Sequence, residues 1–342
     1  MKELDRLLRY HNKKYFEDDA PEISDREYDE LSLEMRALEN EFPSLSSPDS
    51  PTKHVGGSAK RQAGVIIKHR KPMLSIQDVF SRGEVDDFVN SMREKLGTDT
   101  EFVVETKIDG LSMSLWYDGG DLTTAVTRGD GRIQGEDVTA NARVIGDVVQ
   151  HIEDAPEYLE LRGEVYMERA AFERVNAKQE LEGRPIFANP RNCAAGTLRQ
   201  LDPSVTKKRG LSMFIFNLQD VRGASFVNHT DVYDFLQARG VKTIEKYFVC
   251  RTADEVWEAI QKIGDMRDSL AYDIDGAVVK INNLEDRKKC PDSAKNGGFL
   301  IAYKYPPEEK ETVIRDIELS VGRTGRVTPT AVFDTIRLCG TN

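Results

Sequence analysis

Apolar positions in the first fifty residues recur at helical spacing, first as Leu4, Leu7, Leu8, His11 and Tyr15, then as Tyr28, Leu31, Met35 and Leu38. Ala20-Pro21-Glu22 breaks the pattern between them. Ser24 followed three residues later by Glu27 fits a capping box, so the second helix is expected to begin at Ser24, with Asp25, Tyr28 and Asp29 in its first turn. From Phe42-Pro43 through Gly56-Gly57-Ser58 the period disappears and Pro, Ser and Gly accumulate, the composition of a linker. A small helical module is expected over residues 1–60, tethered to the rest of the chain.

From Lys68 to Pro307 strand-like alternation is interrupted by helical runs at 84–96, 231–239 and 253–270. Leu111, Met113, Leu115 and Tyr117 alternate with polar neighbours, and Asp118-Gly119-Gly120 then turns the chain into 121–127, which predicts a hairpin. Strands and helices in this order suit an α+β domain with a mainly antiparallel sheet over 61–310 rather than a regular βαβ repeat. Beyond Thr312, VIRDIELSVGRTGRVTPTAVFDTI is again strand-like but too short for an independent barrel, so 311–342 is read as the start of another domain.

With 39% hydrophobic residues in 342, the chain has enough apolar material for more than one packed core. No apolar run approaches membrane-spanning length, and the N-terminus MKELDRLLRYHNKKYF is charged throughout, so a cytoplasmic protein without a membrane partner is expected. Cys193, Cys250, Cys290 and Cys339 are widely separated and suggest neither a disulfide framework nor a zinc site. A net charge of −11 argues against a nucleic-acid partner, but residues 1–50 hold seven Lys/Arg against fourteen Asp/Glu and so account for most of it. The remainder contains the short basic clusters Lys68-His69-Arg70-Lys71, Lys207-Lys208-Arg209 and Arg287-Lys288-Lys289, which ordinarily form solvated faces.

Period two in Glu101–Gly110 places Glu105, Lys107 and Asp109 on one strand face. Such a KxDG string is also compatible with a surface charge ladder. A lysine amine can act as a nucleophile when its neutral form is accessible, and flanking carboxylates work against that, so other cations must converge on Lys107 if it is one. Candidates are Arg128 in Thr127-Arg128-Gly129-Asp130-Gly131, Arg162 with Glu164 in Leu161–Val165, Lys280 in Asp275–Lys280, and Lys304 in Ala302–Pro306. An isolated lysine in a run such as GAVVKI ordinarily snorkels out at a strand end.

KxDG, RGDG, RGEV, DGxVVK and YK in this order resemble the motif series of the covalent nucleotidyltransferases. More narrowly, PMLS (72–75), TRGDGxxxGEDVT (127–139), FANPRNxAAGTLRQLDP (187–203) and VGRTGxxTP (321–329) resemble the bacterial-type NAD-dependent DNA ligases, over essentially the whole chain. The resemblance implies a nucleotidyltransferase domain preceded by a helical NAD-recognition module and followed by the beginning of an OB fold. It further implies that Lys107 attacks the α-phosphate of NAD to form lysyl-AMP with release of NMN. AMP then passes to the 5′-phosphate of nicked double-stranded DNA, and the 3′-hydroxyl displaces it. Because phosphoryl transfer relies on positioning and charge neutralisation, converging cations and Mg²⁺ are expected, with no metal site built by the protein alone.

By the same resemblance, Glu105 and Glu164 bind the adenosine, Arg128 the ribose or phosphate, and Ser75 and Ile76 pack near the adenine. Lys280 and Lys304 would neutralise the α-phosphate. Asn189, Arg191 and Arg199 would lie in a loop touching nucleotide or DNA, Asp109 would support the site, and Asp275 would partner a metal or a lysine. Tyr15, Asp25, Tyr28 and Asp29 match the NMN pattern. Three positions depart from the family: Phe16 for a Tyr or His, Asp78 for an Asn, and Leu300 for a Trp. The chain has no GxxxxGK[ST] loop, and the third glycine of its one GxG string falls at 135, so neither a P-loop nor a hydride-transferring dinucleotide fold is expected. Self-adenylation with poor nick sealing is expected of this chain by itself, the missing parts being supplied by a longer chain or by a second ligase subunit. The alternative is an idle nucleotide-binding subunit that organises a partner ligase.

Overall fold

The computed structural model describes residues 2–16, 23, 31, 34–35, 37–39, 41–42, 50–51, 65–129, 133–293, 296–306, 311–321 and 327–336. The first amphipathic run forms a helix, Lys2–Phe16, in which Leu8 and His11 are buried. Tyr15 and Phe16 are described by backbone alone, while Ser24, Asp25, Tyr28 and Asp29 lie outside the described residues. Leu31, Met35 and Leu38 are helical, consistent with the second run.

Thirteen strands are described: β1 (Ile66–Lys68), β2 (Ser75–Val79), β3 (Phe102–Ile108), β4 (Leu111–Asp118), β5 (Asp121–Thr127), β6 (Gln134–Glu136), β7 (Tyr158–Tyr166), β8 (Ser212–Arg222), β9 (Tyr247–Cys250), β10 (Ile274–Ile281), β11 (Asn296–Lys304), β12 (Ile314–Val321) and β13 (Val327–Phe333). They form a five-stranded sheet ordered β2-β11-β10-β3-β9, a four-stranded sheet ordered β5-β4-β7-β8, and the two-stranded ribbons β1-β6 and β12-β13. Every strand pair is antiparallel except β2 with β11, so the class is α+β with mainly antiparallel sheets.

Each main sheet has its own core. Met113, Leu115, Tyr117, Leu159, Leu161, Val165, Met213 and Ile215 fill one face of the four-stranded sheet, under Ala171 and Phe172 of helix Arg169–Leu181 and Cys193, Ala194 and Leu198 of helix Pro190–Leu198. Val104, Ala277, Val279, Ile301 and Tyr303 form the other core with Val85 and Val89 of helix Arg82–Leu96 and Val256, Ala259, Ile260 and Ile263 of helix Ala253–Asp265. Ser81 and Glu84 make a full capping box for the first of these two helices, and Thr252 with Glu255 does so for the second. The hairpin after β4 turns at Gly119 (φ 57°) and Gly120 (φ 92°), as the Asp-Gly-Gly string predicts.

One expectation is corrected. Asn189, Arg191 and Arg199 do not share a loop: Arg191 lies in helix Pro190–Leu198, which Asn189 and Arg199 cap at its two ends, and Asp202, like Asn189 followed by proline, caps the next helix, Pro203–Arg209. Proline at the first helical position has no N–H to leave unsatisfied, and its φ is preset for the helix. Lys207, Lys208 and Arg209 occupy the last turn of the second of these, where cations favour the helix C-terminus.

Candidate active site

The polar face of the four-stranded sheet and one face of the five-stranded sheet share a cleft of about 950 Å³. Cross-strand register decides which side chains meet there. Glu105 and Lys107 are two apart on β3, and their partners on β10 are Val278 and Gly276; Gly276 in turn pairs with Lys304 of β11. Glu105, Lys107, Lys280 and Lys304 therefore share one face and all line the cleft. A side chain at Gly276 would press on the Tyr303 carbonyl and reach the Lys107 stem, so the glycine leaves the two lysines room.

At one end Lys107 Nζ donates to both Asp275 oxygens, at 2.9 and 3.0 Å, and Lys304 Nζ binds the same carboxylate. The cations that the sequence required around Lys107 thus include Lys304, with one carboxylate between the two amines. Burial alone would raise the Asp275 carboxyl; the charges and hydrogen bonds of Lys107 and Lys304 outweigh it and hold the group below its usual range. Lys304 is pulled down by burial and raised overall by its bond to Asp275. Asp109 leaves this cluster and accepts from Arg191 Nη1 at 3.0 Å.

Lys280 behaves unlike the snorkelling lysine expected of GAVVKI. It is 2% exposed and lies four residues along β10 from Gly276, roughly 13 Å at the usual rise per residue. Its Nζ meets Glu105 Oε1 at 2.5 Å and donates to the Phe216 carbonyl at 2.9 Å, with His229 Nε2 at 3.5 Å. Tyr233 Oη donates to Glu105 Oε2 at 2.8 Å. Burial would raise the Glu105 carboxyl, but Lys280 and His229 overcome that and hold it at about 2; burial lowers Lys280 itself to about 8. His229, wholly buried beside Lys280 and Arg287, is lowered to about 3 and is neutral. The register thus sets Lys280 with the buried Glu105, away from the Lys107–Lys304 pair.

The four-stranded sheet supplies the facing wall. Arg128 donates from Nε to the Met73 carbonyl (3.1 Å) and from Nη2 to Ser75 Oγ (2.6 Å). Arg162 donates to Ser112 Oγ (2.9 Å) and to the Leu74 carbonyl (3.0 Å), and burial lowers its guanidinium to about 10. Glu164, half-buried on β7, is pushed up to about 7 by desolvation, which exceeds the opposing pull of Arg162, Lys107 and Arg191. Ser75 and Ile76 begin β2 at the cleft edge, and Asp78 and Leu300, two of the departures, also line it. Arg191 and Arg199 line it from the ends of helix Pro190–Leu198, Arg199 in an ion pair with Glu136 (3.4 Å). Asn189 caps that helix by accepting from the Asn192 amide at 2.8 Å and is not among the residues lining the cleft.

Spacing alone does not single out His229, Tyr233, Phe216 and Arg287 as site residues. Arg287, expected on a solvated basic face, is buried and donates to the Ile281 carbonyl (2.7 Å) and to Asn217 Oδ1 (3.1 Å). Arg70, from another such cluster, lies 4.6 Å from the ring centres of both Trp116 and Tyr158.

Residues 64–308 match the family model described as the NAD-dependent DNA ligase adenylation domain, and residues 1–56 match the DNA ligase-like, N-terminal NAD+-binding domain. The DNA ligase of Acetivibrio thermocellus is 48% identical over 338 residues, covering 99% of this chain and 51% of its own. That of Thermoanaerobacter sp. strain X514 is 48% identical over 340 residues, with 99% and 51% covered. The Clostridioides difficile strain 630 DNA ligase is 43% identical over 334 residues, with 98% and 49% covered. The chain spans about half the length of these curated relatives. With both domain models placed in order and these three relatives named DNA ligase, this chain belongs to the NAD-dependent DNA ligase family.

Proposed function

We propose that this chain performs the adenylation half-reaction of an NAD-dependent DNA ligase, with Lys107 as the nucleophile. The observation that carries the reading is the convergence on Asp275 of Lys107 and Lys304, both of which line the cleft together with a buried, ionised Glu105. Neutral Lys107 Nζ attacks the α-phosphorus of NAD, a nitrogen–phosphorus bond forms, the bond from that phosphorus to the bridging oxygen breaks, and NMN departs with the electron pair. The Lys107 proton passes to Asp275, which already accepts from it, while Lys304 stays positive to meet the phosphate. Arg128 and Arg162 are the further cations on the facing wall.

Lys280 takes a different role from α-phosphate neutralisation, because the Phe216 carbonyl, Glu105 and His229 surround its ammonium. In this reading it holds Glu105 charged at the adenine end, where a carboxylate accepts from an exocyclic amino group and repels a carbonyl oxygen. Ser75, Ile76, Arg128 and Glu164 complete the adenosine contacts. Arg191 and Arg199 face nucleotide or DNA backbone from a helix, and Tyr15, Asp25, Tyr28 and Asp29 bind the NMN half.

Among the described residues no group of three acidic, imidazole or thiol side chains could hold a metal by itself. Mg²⁺ commonly takes one or two carboxylates and completes its shell with water and substrate phosphate. When bound, the ion neutralises phosphate charge. Nicked duplex DNA is the proposed acceptor of the AMP, and sealing by this chain without further domains is expected to be poor.

The test is intact mass after incubating nucleotide-stripped protein with Mg²⁺ and either NAD or ATP. One AMP added from NAD only, and none in Lys107→Ala, is the expected result. An adduct that persists in Lys107→Ala overturns the nucleophile, and no adduct with wild type supports an idle nucleotide-binding subunit instead.

A further inference from the structure

Asp275 owes its position to an irregularity in β10. Ile274 pairs with Ile108 and Gly276 with Lys107, so two steps along β10 match one along β3 and Asp275 is the extra residue of a β-bulge. Bulges re-aim side chains that a regular ladder would carry elsewhere, and here the extra residue is the one that reaches both lysines. The ladder does not hold the bulge unaided. The chain entering it, residues 267–273, is gripped by one arginine at the start of helix Arg169–Leu181. Arg169 Nε donates to Asp273 Oδ1 (2.7 Å), Nη1 to the Leu270 (3.0 Å) and Asp268 (3.3 Å) carbonyls, and Nη2 to the Arg267 carbonyl (3.2 Å). Its backbone amide donates to the Ala271 carbonyl at 2.9 Å. On the far side of the same segment, the Asp109 amide donates to the Asp273 carbonyl at 2.9 Å, two residues from Lys107.

We infer that Arg169 is a positioning residue for the adenylation step: it fixes residues 267–273 so that the bulge presents Asp275 between Lys107 and Lys304. Arg169 touches none of the reacting groups and is absent from the cleft lining. Its planar fork satisfies four acceptors at once, which a lysine cannot do. Catalytic placement is sensitive at the ångström scale, so loosening the bulge costs rate more than binding. This inference rests on the adenylation reading, and amide exchange tests it independently of that reading.

The experiment compares wild type with Arg169→Ala, Arg169→Lys, Asp273→Asn, Asp275→Asn and the Arg169→Ala/Asp275→Asn double variant, each kept below its melting temperature. Single-turnover adduct formation from NAD and amide exchange by mass spectrometry are both read. Arg169→Ala is expected to slow adduct formation at saturating NAD about tenfold, with the half-saturating NAD concentration changed less than about twofold. Arg169→Lys should not restore the rate, Asp273→Asn should reproduce part of the loss, and the double variant should be no slower than Asp275→Asn. Amide exchange should accelerate in peptides covering 107–110 and 273–276. Should Arg169→Ala not fold, Arg169→Lys carries the same comparisons. Unchanged exchange in those peptides, or full additivity in the double variant, overturns the inference. If wild type forms no adduct, the adenylation reading falls and exchange alone decides whether Arg169 holds the bulge.

Discussion

Glu105 and Lys280 meet at 2.5 Å on neighbouring strands, and each is 2% exposed. A pair this deeply buried is a weak source of net stability, because desolvation consumes much of the attraction, yet it is costly to break. Lys280→Met is expected to destabilise the chain by about 3–5 kcal/mol by leaving Glu105 charged without its cation, whereas Glu105→Leu with Lys280→Met recovers much of that loss. Urea unfolding of the single and double variants measures both.

The neighbouring His229 makes this part of the fold sensitive to acid. Its folded value of about 3 lies below the ordinary imidazole value, so the unfolded chain takes up a proton first. The stabilisation is present above about pH 6.5 and declines as pH falls toward 3, with a limiting slope of about 1.4 kcal/mol per pH unit for one proton. Glu105, held at about 2, adds a second loss beginning near the ordinary carboxylate range. Urea midpoints from pH 7 to 4 should therefore fall, and His229→Gln should flatten the decline that begins near pH 6.5.

Glu164 carries the opposite sign. Its carboxyl is pushed up to about 7, so between the unfolded carboxylate value and that point the unfolded state loses its proton while the fold keeps it, and stability falls as pH rises. Glu164→Gln is expected to be nearly neutral at pH 4 and increasingly stabilising up to about pH 7, above which the difference levels off. Melting temperatures of both proteins across that range check this; a constant offset contradicts it.

Gly110 closes the KxDG string where β3 turns into β4, and a methyl group there would fall against the Val165 carbonyl and the Glu164 side chain. Gly110→Ala is expected to cost about 1–3 kcal/mol, through displaced β7 backbone, and to slow adduct formation by shifting Glu164. Ser112→Ala, two residues on, removes one hydrogen bond from Arg162 and should cost about 0.5–1.5 kcal/mol without moving the backbone. Urea unfolding of both variants, with the rate of adduct formation from NAD, checks the pair.

The strand face of Glu105 and Lys107, the hairpin at Gly119-Gly120 and the helical runs at 84–96 and 253–270 are legible in local pattern, because each depends on residues close in sequence. The helices after Asn189 and Asp202 carry an equally local signal, a capping side chain followed by proline, which the lack of a clear apolar period in 187–203 obscures. Lys280 is another matter. Its burial requires Glu105, 175 positions earlier, and His229, 51 positions earlier; no spacing within GAVVKI distinguishes a lysine with a buried partner from one that reaches water. The bulge at Asp275 is hidden for the same reason, since register is a relation between strands.

Arg128 and Arg162 each commit two donors, to the Met73 carbonyl and Ser75 hydroxyl and to the Leu74 carbonyl and Ser112 hydroxyl. A guanidinium has five N–H donors, so each arginine can hold these partners and still turn further donors toward an arriving phosphate or ribose. The same two side chains thus tie the stretch leading into the edge strand β2 to the facing wall of the cleft, which couples occupancy of the cleft to the shape of its own rim.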